Sequence, residues 1–93
     1  MHIFCLEIHL SLPSHSLKEK RGIVKSILAR SRNRFNVACS EVDRQDNDSV
    51  GVLAFVTVSP DKNIPRRVLE QVENWIYEGW PDVEIVASDI SEI

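Results

Sequence analysis

A chain of 93 residues, 43% of them hydrophobic, is enough for a single domain, residues 1–93, that buries roughly 60–65% of its unfolded surface without disulfide or metal staples. A net charge of -3 excludes indiscriminate coating of nucleic acid, although a local basic face on such a protein can still hold phosphates. No run of eighteen apolar residues and no N-terminal apolar leader segment is present, and Cys5 and Cys39 fall in apolar alternating runs. No membrane partner and a reducing cytoplasm are therefore expected.

His2 to Leu12 alternates strictly, with Phe4, Leu6, Ile8, Leu10 and Leu12 on one face, the period of a half-buried strand. Pro13 and Ser14 stop it. Ser16 followed by Glu19 has the spacing of a helix-starting capping box. The helix it opens places Leu17, Val24, Ile27, Leu28, Ser31 and Phe35 on one side and Lys18, Arg21, Lys25 and Arg32 on the flank. Lys20 lands near the apolar side, from which its long stem is expected to reach out to water.

Asn36 to Asp43 is predicted to be a weaker second strand, joined through Arg44-Gln45-Asp46-Asn47-Asp48 to a third, Ser49 to Ser59. The third strand is apolar on both sides and is expected to be central, with Val52, Ala54 and Val56 inward and Leu53 and Phe55 on the uncovered face. Pro60-Asp61-Lys62-Asn63 ends it. Pro65 suits a first helical turn, and Ile64, Val68, Leu69, Val72, Trp75 and Ile76 form a stripe up to Gly79. Gly79 is expected to be a left-handed cap, with Trp80 packing back before Pro81. Val83, Ile85 and Ala87 alternate in a last strand.

The order β-α-β-β-α-β predicts an α+β, ferredoxin-like domain: a four-stranded antiparallel sheet in spatial order 4-1-3-2 with two helices on one face. Cys5 and Cys39 would then be two strand spacings apart, about 9.5 Å, and remain free thiols. The same topology places the end of the first helix beside the start of the second, drawing Arg30, Arg32 and Arg34 towards Lys62, Arg66 and Arg67. Asp43, Asp46, Asp48, Glu78 and Asp82 collect at the opposite end. From Ser16 to Arg34 there are seven Lys or Arg and a single acid, Glu19, so charge is strongly segregated along the chain.

Ser16-Leu17-Lys18-Glu19-Lys20-Arg21, then Val24-Lys25-Ser26, Arg34-Phe35-Asn36-Val37 and Glu41-Val42-Asp43, resemble the YlxP-like family of uncharacterised bacterial proteins over nearly the whole chain. The resemblance implies a ferredoxin-like fold. In several bacteria the family's genes lie among those for translation initiation and ribosome maturation, which implies a link to ribosomes and no established activity. Asp46-Asn47-Asp48-Ser49 stands here in place of a Trp-Gln pair in the family's pattern, so no aromatic role carries over to that hairpin.

Several side-chain sets can be weighed against plainer readings. Arg30, Arg32 and Arg34 near a helix C-terminus are favoured by the helix dipole whatever they bind, whereas Arg66 and Arg67 in a first turn oppose it. Free amides and two guanidinium groups there would suit a phosphate. His2, His9 and His15 lack ligand spacing, so no metal and no cofactor are expected. Cys5, Glu7 and His9 share one strand face, but no oxyanion-hole or nucleotide-loop motif accompanies them, and the protein is expected to be non-enzymatic. The predicted function is binding of RNA phosphates, with the ribosome as the implied partner, through Lys25, Arg30, Arg32, Arg34, Lys62, Arg66 and Arg67. The alternative is a protein-interaction module, such as a homodimer, that uses Ile3, Cys5, Leu53 and Phe55 on the open sheet face.

Overall fold

A computed structural model describes residues 1–93. Its elements are β1 (His2–Ser11), α1 (Leu17–Arg34), β2 (Ala38–Asp43), β3 (Val50–Ser59), α2 (Asn63–Gly79) and β4 (Glu84–Glu92). The strands form one antiparallel sheet in the order β2-β3-β1-β4, the expected ferredoxin-like arrangement. β1 and β3 are the two interior strands, β1 between β3 and β4 and β3 between β2 and β1, and both carry the apolar runs that a strand covered by neighbours needs.

The register of β1 against β3 decides which residues reach the core. Leu6 lies opposite Phe55 and Ile8 opposite Leu53, and residues directly opposed in an antiparallel pair share a face. Leu53 and Phe55 are therefore fully buried under the helices with Phe4, Leu6, Ile8, Leu10, Val24, Ile27, Leu69, Val72 and Ile76. This corrects the assignment of Leu53 and Phe55 to the uncovered face. Both sides of β3 are apolar, so alternation could not orient it; docking against β1 does. Ile3 and Cys5 do lie on the uncovered side, opposite Val58 and Val56.

Three local expectations also change. Gly79 is not left-handed: no glycine has a positive φ, and the helix ends at Trp80 with φ -131°, whose N–H donates to the Ile76 carbonyl. Lys20 does not reach out to water; it is buried on the helix stripe with Val24, Ile27 and Ser31. β4 runs on to Glu92, past the alternating stretch, because an edge strand needs few apolar residues. A bulge in its pairing with β1 between His9 and Leu10 leaves Val86 unpaired and turns Ala87 to the open side, opposite His9.

Truncating Phe55 removes a fully buried ring from the sheet–helix interface, so Phe55→Ala is expected to lower the unfolding free energy by about 3–5 kcal/mol. Val58→Glu, at a position 52% exposed on the other face, should change it by no more than about 0.5 kcal/mol. Urea titration of both variants checks this, and the reverse ranking would mean that the faces of β3 are exchanged.

Candidate nucleic-acid interface

α1 supplies most of the cations, and its start is well defined. The Ser16 backbone is extended, and its hydroxyl accepts a hydrogen bond from the Glu19 N–H at 3.1 Å. This satisfies one of the free amides of the first turn. The helix is fastened to β2 at two points. Near its end, Arg32 donates to the Cys39 carbonyl at 2.6 Å. Near its start, the Lys20 ammonium donates to the Arg44 carbonyl at 2.6 Å and lies 2.9 Å from Glu41 Oε2.

The Lys20–Glu41 contact is an ion pair rather than an aligned hydrogen bond, since no well-directed donor reaches Glu41 Oε2. With Lys20 buried and Glu41 largely so, removal of one partner would strand the other's charge. Arg44, whose carbonyl the ammonium holds, has φ 63°, an uncommon conformation for a residue with a side chain. Gly51 packs beneath: a Cβ built there would stand 3.3 Å from Glu41 Oε2. The pair thus joins the first helix, the β2–β3 hairpin and the floor of the sheet.

Only three ion pairs exist in the molecule, His2–Glu92, His9–Glu7 and Lys20–Glu41. Of the eleven Lys and Arg residues, Lys20 alone has a carboxylate partner. The others are Lys18, Arg21, Lys25, Arg30, Arg32, Arg34, Arg44, Lys62, Arg66 and Arg67, all exposed.

These cations do not make one pole. The end of α1 and the start of α2 do share an end of the sheet: Thr57 donates to the Asn36 carbonyl and pairs with Phe4, over whose ring Arg66 lies at 5.4 Å. From there, however, the side chains diverge. Arg21, Lys25 and Arg32 line a cleft of about 440 Å³ against Ser40, Glu41 and Gln45 beside β2. Arg30 and Arg34 turn the other way, towards α2: Arg30 lies 5.7 Å over Trp80 and Arg34 5.8 Å over Phe35. The acidic end is diluted too, because Lys20 bonds the Arg44 carbonyl and Arg21 lines the cleft beside Gln45, next to the hairpin that carries Asp43, Asp46 and Asp48.

The start of α2 is less hospitable to a phosphate than its sequence implies. Asp61 Oδ1 accepts the Asn63 N–H at 2.9 Å, so a carboxylate already occupies one of the free amides. Pro65 has no N–H to offer. Arg66 and Arg67 follow this turn, Arg66 lying over Phe4, and Lys62 lies near Glu92 of β4. Glu92 is held below its ordinary range chiefly by the hydrogen bond from His2, with lesser help from the nearby charges of His2 and Lys62.

Cys5, Glu7 and His9 do share the open face, but the environment disfavours a thiolate. Burial, then the charges of Glu7 and Asp89, push the Cys5 thiol up. Burial likewise raises the Cys39 thiol, against the opposing influence of Arg32. A nucleophilic cysteine needs the opposite shift. The two residues face opposite sides of the sheet, Cys39 towards α1 and opposite Phe55, Cys5 opposite Val56.

Two features escaped sequence reasoning. Lys20 stands four residues before Val24 on the buried stripe, and Glu41 alternates with Cys39 on β2; the pattern was visible, but the pairing needed the hairpin to fold back. The second is the aromatic row between the helices, Phe35–Trp75 at 5.5 Å and Trp75–Trp80 at 5.0 Å, both edge to face. Its members come from two distant stretches of chain, the end of α1 and the last turns and cap of α2.

The fold and this surface define a small ferredoxin-like domain whose helical layer presents unpaired cations and half-buried aromatics. The chain belongs to the family described as "Protein of unknown function (DUF503)", whose model matches residues 3–90. It is 36% identical over 69 residues, 74% of either chain, to the "Uncharacterized protein YlxP" of Bacillus subtilis (strain 168). No helix is long and apolar enough to cross a membrane.

Lys20→Ala is expected to destabilise the protein by about 3–5 kcal/mol, and Lys20→Met/Glu41→Leu to recover most of that loss. Urea unfolding of the single and double variants measures the coupling; independent, additive effects would show that the pair does not bind helix to hairpin. Because both thiols are raised, native-state alkylation near pH 7 should be slow at each and should accelerate as pH rises. Both sites should be modified under denaturing conditions without reductant, as mass spectrometry would record, whereas rapid native modification at neutral pH would contradict the environment described.

Proposed function

We propose that this protein is a non-catalytic domain that binds the phosphate backbone of RNA through the exposed cations of α1. Ribosomal RNA is the candidate partner that its family resemblance suggests. The observation that carries this reading is the absence of carboxylate partners around ten of eleven cations in a chain with 14 Asp and Glu residues. A solubilising surface ordinarily intersperses its charges and satisfies many of them locally. Here the six exposed cations of α1, Lys18, Arg21, Lys25, Arg30, Arg32 and Arg34, have no carboxylate partner and can meet an external anion.

Geometry adds support. Lys18 to Arg32 spans about 21 Å of helix at 1.5 Å per residue, enough to follow several nucleotides. Arg guanidinium groups meet phosphate in a bidentate fashion, and Lys ammonium groups act as point charges beside them. The net charge of -3 makes the interaction local and salt-sensitive rather than a general affinity for polyanions.

A second reading, self-association through the uncovered sheet face, draws on Ile3, Cys5, Ala54, Val56 and the 52%-exposed Val58. Without Leu53 and Phe55 this strip has no aromatic anchor and carries Glu7 and His9 beside it, which makes it the weaker surface.

Filter binding of single-stranded RNA at several salt concentrations tests the first reading. Affinity should fall with salt, and Arg21→Ala/Lys25→Ala should flatten the slope of log K against log salt by about 0.7 for each phosphate that is no longer neutralised. Neither side chain makes an internal hydrogen bond or ion pair, so stability should hold. Absence of binding at low salt, or binding that the double variant leaves unaltered, would overturn the assignment to this helix. A dimeric solution mass without RNA affinity would favour the sheet face.

A further inference from the structure

The geometry points to the seam between α1 and α2 as a base-stacking groove for single-stranded RNA. This rests on the phosphate-binding reading above and adds a second mode of contact to it. α1 and α2 are held apart by the aromatic row Phe35, Trp75 and Trp80, whose rings meet edge to face at 5.5 and 5.0 Å. Each member packs in part against the core and remains in part exposed.

Surface concavities lie beside both indoles. One, of about 440 Å³, is lined by Arg30, Asn33, Arg34 and Trp75. Another, of about 820 Å³, is bounded by Trp80 together with Lys18, Glu19, Gly22, Ile23 and Ser26 among others. At Gly22 a side chain would meet nothing within 4 Å, so this stretch of wall is open.

Three features name the occupant. Lys18, Arg30 and Arg34 bring three positive charges to these two concavities against Glu19 alone, with Asp82 on another side of Trp80, so the ligand is anionic. The indole rings offer flat apolar surface, and Arg30 lies over Trp80 at 5.7 Å, so a guanidinium stands beside an indole face on which a base can stack. Neither indole N–H nor the Asn33 amide is engaged in a hydrogen bond within the protein. An anion with repeated flat rings and polar edges is a single-stranded nucleic acid. Duplex RNA hides its base faces and could use only the cations.

The chain has two tryptophans, Trp75 and Trp80, and both lie in the seam, so intrinsic fluorescence reports on it directly. Titration with a single-stranded adenine-rich RNA 12-mer should quench tryptophan emission, while a duplex RNA of equal length and inorganic polyphosphate should not. Trp80→Leu keeps apolar cover over the core but removes the ring, and should weaken single-stranded RNA binding about tenfold or more while duplex binding stays within about twofold. Single-stranded RNA binding in the filter assay without quenching, equal quenching by polyphosphate, or undiminished affinity of a folded Trp80→Leu variant would overturn the groove and leave phosphate binding by α1 intact. Failure of the wild-type protein to bind either RNA would instead defeat the phosphate reading, and the groove with it. The comparison of ligands on the wild-type protein decides the matter even if the variant does not fold.

Discussion

Opposed residues of an antiparallel ladder point to the same face, and this rule applied to Leu6 and Phe55 governs most of the molecule. β1 has one apolar face and one mixed face, so it has only one favourable orientation towards the helices. Once β3 pairs with it, Leu53, Phe55 and Thr57 turn inward, and Val56 and Val58 turn out. β2 inherits the same constraint from β3: Cys39 opposite Phe55 and Glu41 opposite Leu53 must face α1. A slip of one residue would expose Phe55 and move Glu41 away from Lys20.

The inward placement of Glu41 explains why a lysine can be buried on the stripe of α1. Burial of an ammonium group alone would be prohibitive, and a buried pair gains little over an apolar one of similar shape. What the pair supplies is position. Lys20 reaches both Glu41 and the carbonyl of the left-handed Arg44, so the first turn of α1 and the β2–β3 turn fit together in one arrangement. Asn47 organises the other side of that turn, its side-chain oxygen accepting the Ser49 and Val50 N–H groups at 2.9 Å.

With its start and end tied to β2, α1 carries its remaining cations on fixed bearings. One group faces the cleft beside β2 and another faces α2, which separates charges that lie close together in the chain. Arg30 and Arg32 are two residues apart, yet one lies over Trp80 and the other bonds to Cys39. An extended polyanion is the kind of ligand that could use both bearings, because its charges repeat along a flexible chain. The aromatic row supplies flat apolar surface where the cations alone would provide only electrostatic attraction.

Much of this protein is determined by periodicity that can be read directly. The alternation from Phe4 to Leu12, the Ser16 cap and the stripe from Leu69 to Ile76 specify strand, helix and helix because local backbone geometry sets which side chains share a face. Their order then leaves the ferredoxin-like sheet as the natural arrangement. Local pattern was silent where both faces carried the same chemistry, as in β3, or where an edge strand was mostly polar, as in Ser88 to Glu92. It was also silent about contacts between distant stretches. Lys20 meets Glu41, and Trp75 lies between Phe35 and Trp80, only because the sheet brings its crossovers together; whether a lysine reaches solvent or a buried carboxylate depends on a partner its own helix does not contain.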